Sequence, residues 1–226
     1  KRDYFSPEPN VQGIIFSMNF RKAGYMSNTS NKTRKLVEIG MLGAIATVLM
    51  LFEFPIPFIA PPFYELDFSE VPVLVGAFAL GPMAGATIEL VKILINLLIN
   101  GTATAFVGEI GNYLLGCSFI IPAALIYKKH KSKKNALVAM IIGTIAMNVF
   151  GCFLNAYILL PTYATAFGMP IDAIVGMGSA INANINDVMT FVIIAVAPFN
   201  IIKGIVVSVI TLLIYKHISP ILKGNR

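Results

Sequence analysis

Almost all the positive charge of this chain is kept out of its apolar stretches. Fifteen of the seventeen Lys and Arg fall in residues 1–35, 128–134 and 216–226, and only Lys92 and Lys203 lie within hydrophobic segments. Between the basic clusters run segments such as 36–54, LVEIGMLGAIATVLMLFEF. At about 1.5 Å per helical residue, a run of that length reaches across a hydrocarbon core of roughly 30 Å. Hydrophobic residues make up 57% of the chain and charged residues 12%, a balance outside that of soluble domains. The net charge of +6 would suit nucleic acid only if the bases formed a stripe with interleaved aromatics. Here they flank apolar runs, which implies a lipid bilayer as the surroundings and excludes nucleic acid as a partner.

The pattern predicts an all-α integral membrane protein of six transmembrane helices. Helix 1 is expected at 36–54, a short helix 2 at about 71–80, helix 3 at 83–100, helix 4 at 105–127, helix 5 at about 135–160 and helix 6 at about 188–216. The segment 55–70 holds four prolines with Glu65, Asp67 and Glu70 and no base, so it reads as an outer loop. Residues 161–187, rich in Gly, Asn and Pro with Asp172 and Asp187, read as a second outer segment. The basic stretch KKHKSKK at 128–134 faces the cytoplasm, and both termini follow it there. Residues 1–35 form a disordered or added cytoplasmic leader without the apolar core of a secretory signal, and Met18 or Met26 are possible natural starts. The membrane domain is 36–220 and the cytoplasmic tail 221–226.

Chemistry-bearing clusters are few. Cys117 and Cys152 sit in apolar runs without CxxC spacing, and His130 and His217 lie in basic segments, so neither a metal site nor a structural disulfide is expected. No HExxH, GxGD or Cys/His arrangement is present, which argues against catalysis.

Polar groups at bilayer depth are the informative ones, because a charge there costs about 2.5–3.5 kcal/mol on insertion scales and turns towards the bundle interior. Glu89 and Lys92 lie three apart in helix 3, with Asn96 and Asn100 continuing the same face. They form either a binding stripe or a self-neutralising structural pair. In helix 6, APFNIIKG at 197–204 places Asn200 and Lys203 together, about 20 Å of helix from Lys216. That is too far to snorkel inwards; an outward reach is open if Pro198 starts the regular helix. Asn148 and Asn155 share a face of helix 5, and Glu109 and Asn112 lie near the outer end of helix 4. Such amides serve either as ligand contacts or as interhelical glue. In helix 1, Gly40 with Ala44 and Gly43 with Thr47 are small residues four apart, suited to close helix approach inside the bundle or against a partner.

The layout, together with FYELDFSEVPVLVGAFALGP (63–82), GATIELVKILINLLING (85–101) and APFNIIKG (197–204), resembles the riboflavin-binding substrate subunit of energy-coupling-factor vitamin transporters over about residues 36–220. The resemblance implies a bacterial cell-membrane protein that captures riboflavin from outside with high affinity, as transported substrate rather than cofactor. It implies a membrane scaffold subunit and two cytoplasmic ATPases as partners, with no ATPase in this chain, and a docking face at Gly40, Ala44, Gly43 and Thr47. It sets Asn200 and Lys203 against the pyrimidine edge of the flavin. Glu89 and Lys92 meet ribityl hydroxyls or hold the wall, Asn148 and Asn96 are further ligand-binding candidates, and Phe63 and Tyr64, with Phe58 and Phe68, lie over the flat ring. Thiamin or biotin as ligand, or a stand-alone ion-coupled carrier using Glu89 and Lys92, are the alternatives.

Overall fold

The computed structural model describes residues 32–102 and 104–223. The expected leader therefore lies outside the described residues up to 31, and the expected tail lies outside them from 224 onwards. Two units divide the chain, 1–38 and 39–226. In the described part of the first, Arg34 Nε pairs with Glu38 Oε1 at 2.9 Å on an exposed helical turn.

Residues 32–50, here α1, are helical and end four residues before the expected boundary. The following loop, expected to be irregular, contains a small antiparallel hairpin of β1 (Phe54–Pro55) and β2 (Glu65–Leu66), with Phe54 opposite Leu66 and Pro55 opposite Glu65. Next comes α2 (Glu70–Leu80), short as expected at 11 residues, or about 16 Å. Gly81, with φ of 101°, then turns the chain and Pro82 occupies the first turn of α3 (Pro82–Asn100). A positive φ is cheap only for glycine, and proline suits a helix start, so two residues suffice to reverse direction. The next helices are α4 (Val107–Lys129), which places Lys128 and Lys129 in its last turn, and α5 (Lys133–Leu154), capped by Ser132 accepting from the Asn135 N–H.

The expected break near residue 160 does not occur. A π-helical turn, Asn155–Leu159, leads directly into α6 (Leu160–Ala166), so 133–166 is one apolar rod. Nor does Pro198 start a helix: α8 (Val188–Phe191), a π turn at Val192–Val196 and α9 (Ala197–Lys223) follow without interruption. Pro161 and Pro198 each follow a π turn. Proline removes one N–H and crowds the preceding turn, and the wider π turn accommodates both. The expected outer segment 161–187 contains the end of α6 and a further helix, α7 (Ile171–Ser179).

Among the described residues, four helices are long and apolar enough to cross a membrane: Pro82–Asn100, Val107–Lys129, Lys133–Ala166 and Val188–Ile214. One core lies between α2, α3, α4 and α5, where Leu74, Ile88, Phe119, Ile120 and Met140 are buried and Phe78 stacks on Tyr127 at 4.3 Å. A second gathers Leu66, Leu160, Ile174, Phe191 and Phe199 beneath the hairpin. The outward faces carry Leu98, Ile193 and Leu213, all exposed, as lipid contact requires.

Candidate functional site

Between the two cores lies a cavity of about 260 Å³. Its wall is built from Met50 just before the hairpin, the 63–67 strand and loop, the N-termini of α2 and α4, the C-terminus of α3, the π turn at 155–159, and α9.

Asn200 lines this cavity and is 3% exposed, yet its Nδ2 has no hydrogen-bond partner. Room for it comes from Gly151, where an added Cβ would lie 2.6 Å from that nitrogen. One helical turn on, Lys203 Nζ sits 3.2 Å from Asp67 Oδ2, and Asp67 Oδ1 accepts from the Ser69 N–H at 2.6 Å. Burial by itself would raise the Asp67 pKa; the ammoniums of Lys203 and Lys92 and the Ser69 bonds overcome it and hold the carboxyl down at about 2. Nearby, burial and the charges of Glu65 and Asp67 push Glu53 up to about 7.

Tyr64 donates from its hydroxyl to Asn155 Oδ1 at 2.6 Å, and Asn155 Nδ2 donates to the Gly151 carbonyl at 2.8 Å. The Tyr64 ring lies 4.8 Å from Phe63 and 5.6 Å from Phe199, giving the cavity an aromatic side. Asn100 Nδ2 donates to Asn96 Oδ1 at 3.0 Å, and both line the wall. Glu109 and Asn112 also line it, with Glu109 Oε2 accepting from Thr104 Oγ1 at 2.9 Å.

Glu89 and Lys92 lie behind the wall, fully buried. Lys92 Nζ is 2.6 Å from Glu89 Oε1, 3.0 Å from Glu70 Oε1 and 3.1 Å from Ser69 Oγ. The pair is thus part of a cluster tying α3 to the start of α2. Gly116 of α4 makes space for it, since a Cβ there would meet Glu89 Oε1 at 2.6 Å. Asn148 stands off the cavity, about 10 Å along the rod from Asn155, and its Oδ1 accepts a weak bond from the Cys152 thiol at 3.9 Å. Phe58 is exposed and Phe68 packs on Phe54, so neither reaches the wall.

The small residues of α1 separate into two faces. Thr47 Oγ1 donates to the carbonyls of Gly43 and Lys92, and a Cβ on Gly43 would lie 2.6 Å from Val91 Cγ1. Both residues therefore face α3. Gly40 and Ala44 are exposed, with nothing within 4 Å of a Cβ on Gly40.

Asp67, Glu70 and Ser69 were not among the sequence candidates. They lie in or beside a loop whose acids served only to mark its side of the membrane, and the lysine that Asp67 meets is 136 residues away.

Residues 34–215 match the family model described as ECF transporter, substrate-specific component. The chain is 39% identical over 192 residues to riboflavin transporter RibU of Staphylococcus aureus, covering 85% of this chain and 94% of that protein. It is 35% identical over 196 residues to riboflavin transporter FmnP of Bacillus subtilis, covering 86% and 97%. A solved structure of the S component of a bacterial ECF transporter superposes with a TM-score of 0.66 at 40% identity, covering 85% of this chain and 99% of that one.

Proposed function

The chain belongs to the family of ECF transporter substrate-specific components, and from that premise we propose that its cavity captures riboflavin from the outer side and delivers it to an ATP-driven transporter complex. One observation carries the reading: a buried amide donor, Asn200 Nδ2, waits without a partner in a wall that is aromatic on one side. An unmet buried donor costs about 1–3 kcal/mol, which a ligand acceptor relieves.

Flavin offers such an acceptor. Its pyrimidine edge alternates carbonyls with an N–H, so the Asn200 amide meets an acceptor and a donor while the Lys203 ammonium donates to a second carbonyl. Tyr64 and Phe63 lie against the ring, and Asn96 with Asn100 takes ribityl hydroxyls. Glu89 and Lys92 hold the wall from behind. Asn148 supports α5 away from the ligand. Family membership favours riboflavin over thiamin, biotin or a stand-alone ion-coupled carrier.

In this reading the membrane domain, 36–220, crosses the bacterial cell membrane six times, with both termini and the 128–134 loop cytoplasmic. The chain hydrolyses no ATP; two ATPases and a membrane scaffold supply the drive, and Gly40 and Ala44 face the scaffold while Gly43 and Thr47 pack within the bundle. The test is direct: protein purified from cells grown in rich medium carries a flavin absorption spectrum, and stripped protein quenches riboflavin fluorescence on titration. Colourless protein that quenches nothing refutes the proposal.

A further inference from the structure

The turn joining α4 to α5 gathers positive charge that nothing near it in the chain offsets. Lys128 and Lys129 close α4, Lys133 and Lys134 open α5, and Lys131 lies between them, all exposed. No Asp or Glu occurs between Glu109 and Asp172. Among the described residues, none of the five lysines forms an ion pair. Lys133 and Lys134 also stand in the first turn of α5, which carries no acid, and the helix dipole makes that the costlier end for a cation.

The turn is pinned in place. Asn135 Nδ2 donates to the carbonyls of Ile126 at 2.9 Å and His130 at 2.8 Å, and the Asn135 N–H donates to Ser132 Oγ at 3.2 Å. One residue thus ties the end of α4 to the start of α5, so the lysines are gathered before any partner arrives. They adjoin an apolar strip. Leu125 precedes Lys128 and Lys129 by three and four residues, and Leu137 follows Lys134 and Lys133 by the same steps, which puts each on the lysines' side of its helix. Leu125, Leu137 and Val138 are exposed, and Ile141 continues the strip one turn further along α5.

We propose that this turn binds the head group of an anionic phospholipid, whose acyl chains lie along Leu125, Leu137, Val138 and Ile141. Lysine ammoniums hold phosphate as point charges, and clustered bases beside a membrane span draw anionic lipid. A zwitterionic head group would bring a further cation to a place that already has five. An acidic protein surface would meet the lysines but leave the strip beside them uncovered, whereas a lipid meets both. Orienting the chain requires only that the bases stay on one side of the membrane; a preference for one head group over another is a separate property, and it does not depend on the ligand of the cavity.

The chain contains no tryptophan, which makes a local test possible. Leu137→Trp places a single fluorescent reporter beside the lysines. Val149→Trp, exposed and about 18 Å further along the same rod, places one where no base is near. Each variant of the full chain, stripped of bound ligand, is reconstituted into vesicles of phosphatidylcholine and phosphatidylglycerol in equal parts, with brominated acyl chains on one lipid or the other. Bromine quenches tryptophan on contact, so the two quenching levels give the local enrichment of the anionic lipid. One lysine at an anionic surface is equivalent to about fivefold in binding. The expected result at about 0.01 M ionic strength is enrichment of at least about fivefold beside Leu137→Trp and none beside Val149→Trp. The enrichment falls towards parity at about 1 M, where the Debye length is about 3 Å, and when K131Q/K133Q/K134Q is added to Leu137→Trp. Equal enrichment at the two positions overturns the proposal, and so does an enrichment that neither salt nor the glutamines reduce. The salt series on Leu137→Trp decides the matter even if the glutamine variant fails to insert. Absence of enrichment, with co-purification of the ATPase subunits lost in the glutamine variant, would assign the lysines to a protein partner and overturn the lipid site.

Discussion

Replacing Asn200 by alanine separates ligand binding from folding in a way the structure makes quantitative. Asn200 Nδ2 has no partner within the protein, so removing the amide breaks no internal bond from that nitrogen and relieves an unpaired buried donor. Folding stability is therefore expected to stay level or rise slightly. Ligand binding loses the bond that the amide was free to make, about 1–3 kcal/mol. That corresponds to about five- to 150-fold in Kd. Asn155→Ala is the matched control. Its amide accepts from Tyr64 at 2.6 Å and donates to the Gly151 carbonyl at 2.8 Å, and two internal bonds at about 1 kcal/mol each put the stability loss near 2 kcal/mol. Thermal unfolding in detergent, followed beside riboflavin titration, reads both quantities. A destabilised Asn200→Ala protein with unchanged riboflavin affinity would refute the reasoning, since it would make the amide a structural group.

Other consequences are equally direct. Lys92→Met leaves Glu70 and Glu89 buried without their cation and is expected to cost about 3–5 kcal/mol; adding Glu70→Gln and Glu89→Gln recovers much of it, and an unfolding midpoint unmoved by Lys92→Met contradicts the cluster. On α1, Ala44→Leu is expected to reduce co-purification with the scaffold subunit while leaving riboflavin titration intact, whereas Gly43→Leu drives a side chain into Val91 and lowers stability. Equal loss of both properties in Ala44→Leu would place that face inside the bundle. Glu53 is raised from 4.5 to about 7, so between those values the folded protein binds more protons than the unfolded one and stability falls as pH rises, levelling above 7. Glu53→Gln is expected to flatten the unfolding midpoint across that window, and an unaltered slope in the variant counts against the carboxyl cluster.

The helical frame was legible because bilayer-length apolar runs and segregated bases are both strong local signals. What failed was the use of proline as a stop before Pro161; the boundaries at 80 and 100 hold, with Gly81 and Gly101 closing α2 and α3. Pro161 and Pro198 sit inside continuous rods because a π turn precedes each. Pro170 and Gly168, which together read as loop, instead punctuate two short helices, with Pro170 capping α7 and Gly168 taking a φ of 63° between them. Composition records that a residue punctuates the chain. It does not record whether the punctuation ends a helix or begins one.

The site divides along a sharper line. Asn200, Lys203, Glu89 and Lys92 all stand out as polar groups in apolar runs, and that contrast cannot distinguish a group that is satisfied inside the protein from one that is not. Glu89 and Lys92 share their cluster with Glu70 and Ser69, which the i, i+3 spacing cannot reveal because those partners arrive from another element. Lys203 likewise finds Asp67 across 136 residues, and its ammonium retains donors beyond that one bond. Asn200 differs because its nitrogen finds nothing. A buried amide persists unpaired only when something outside the chain completes it or the fold tolerates the loss. The first alternative requires space beside the nitrogen, and the cavity supplies it. Gly151 contributes to the same end, since a Cβ there would push the nitrogen off its position at the wall. Unmet hydrogen bonding next to open volume, rather than polarity in an apolar run, is the ground on which we propose that Asn200 faces a ligand and Lys92 holds the wall behind it.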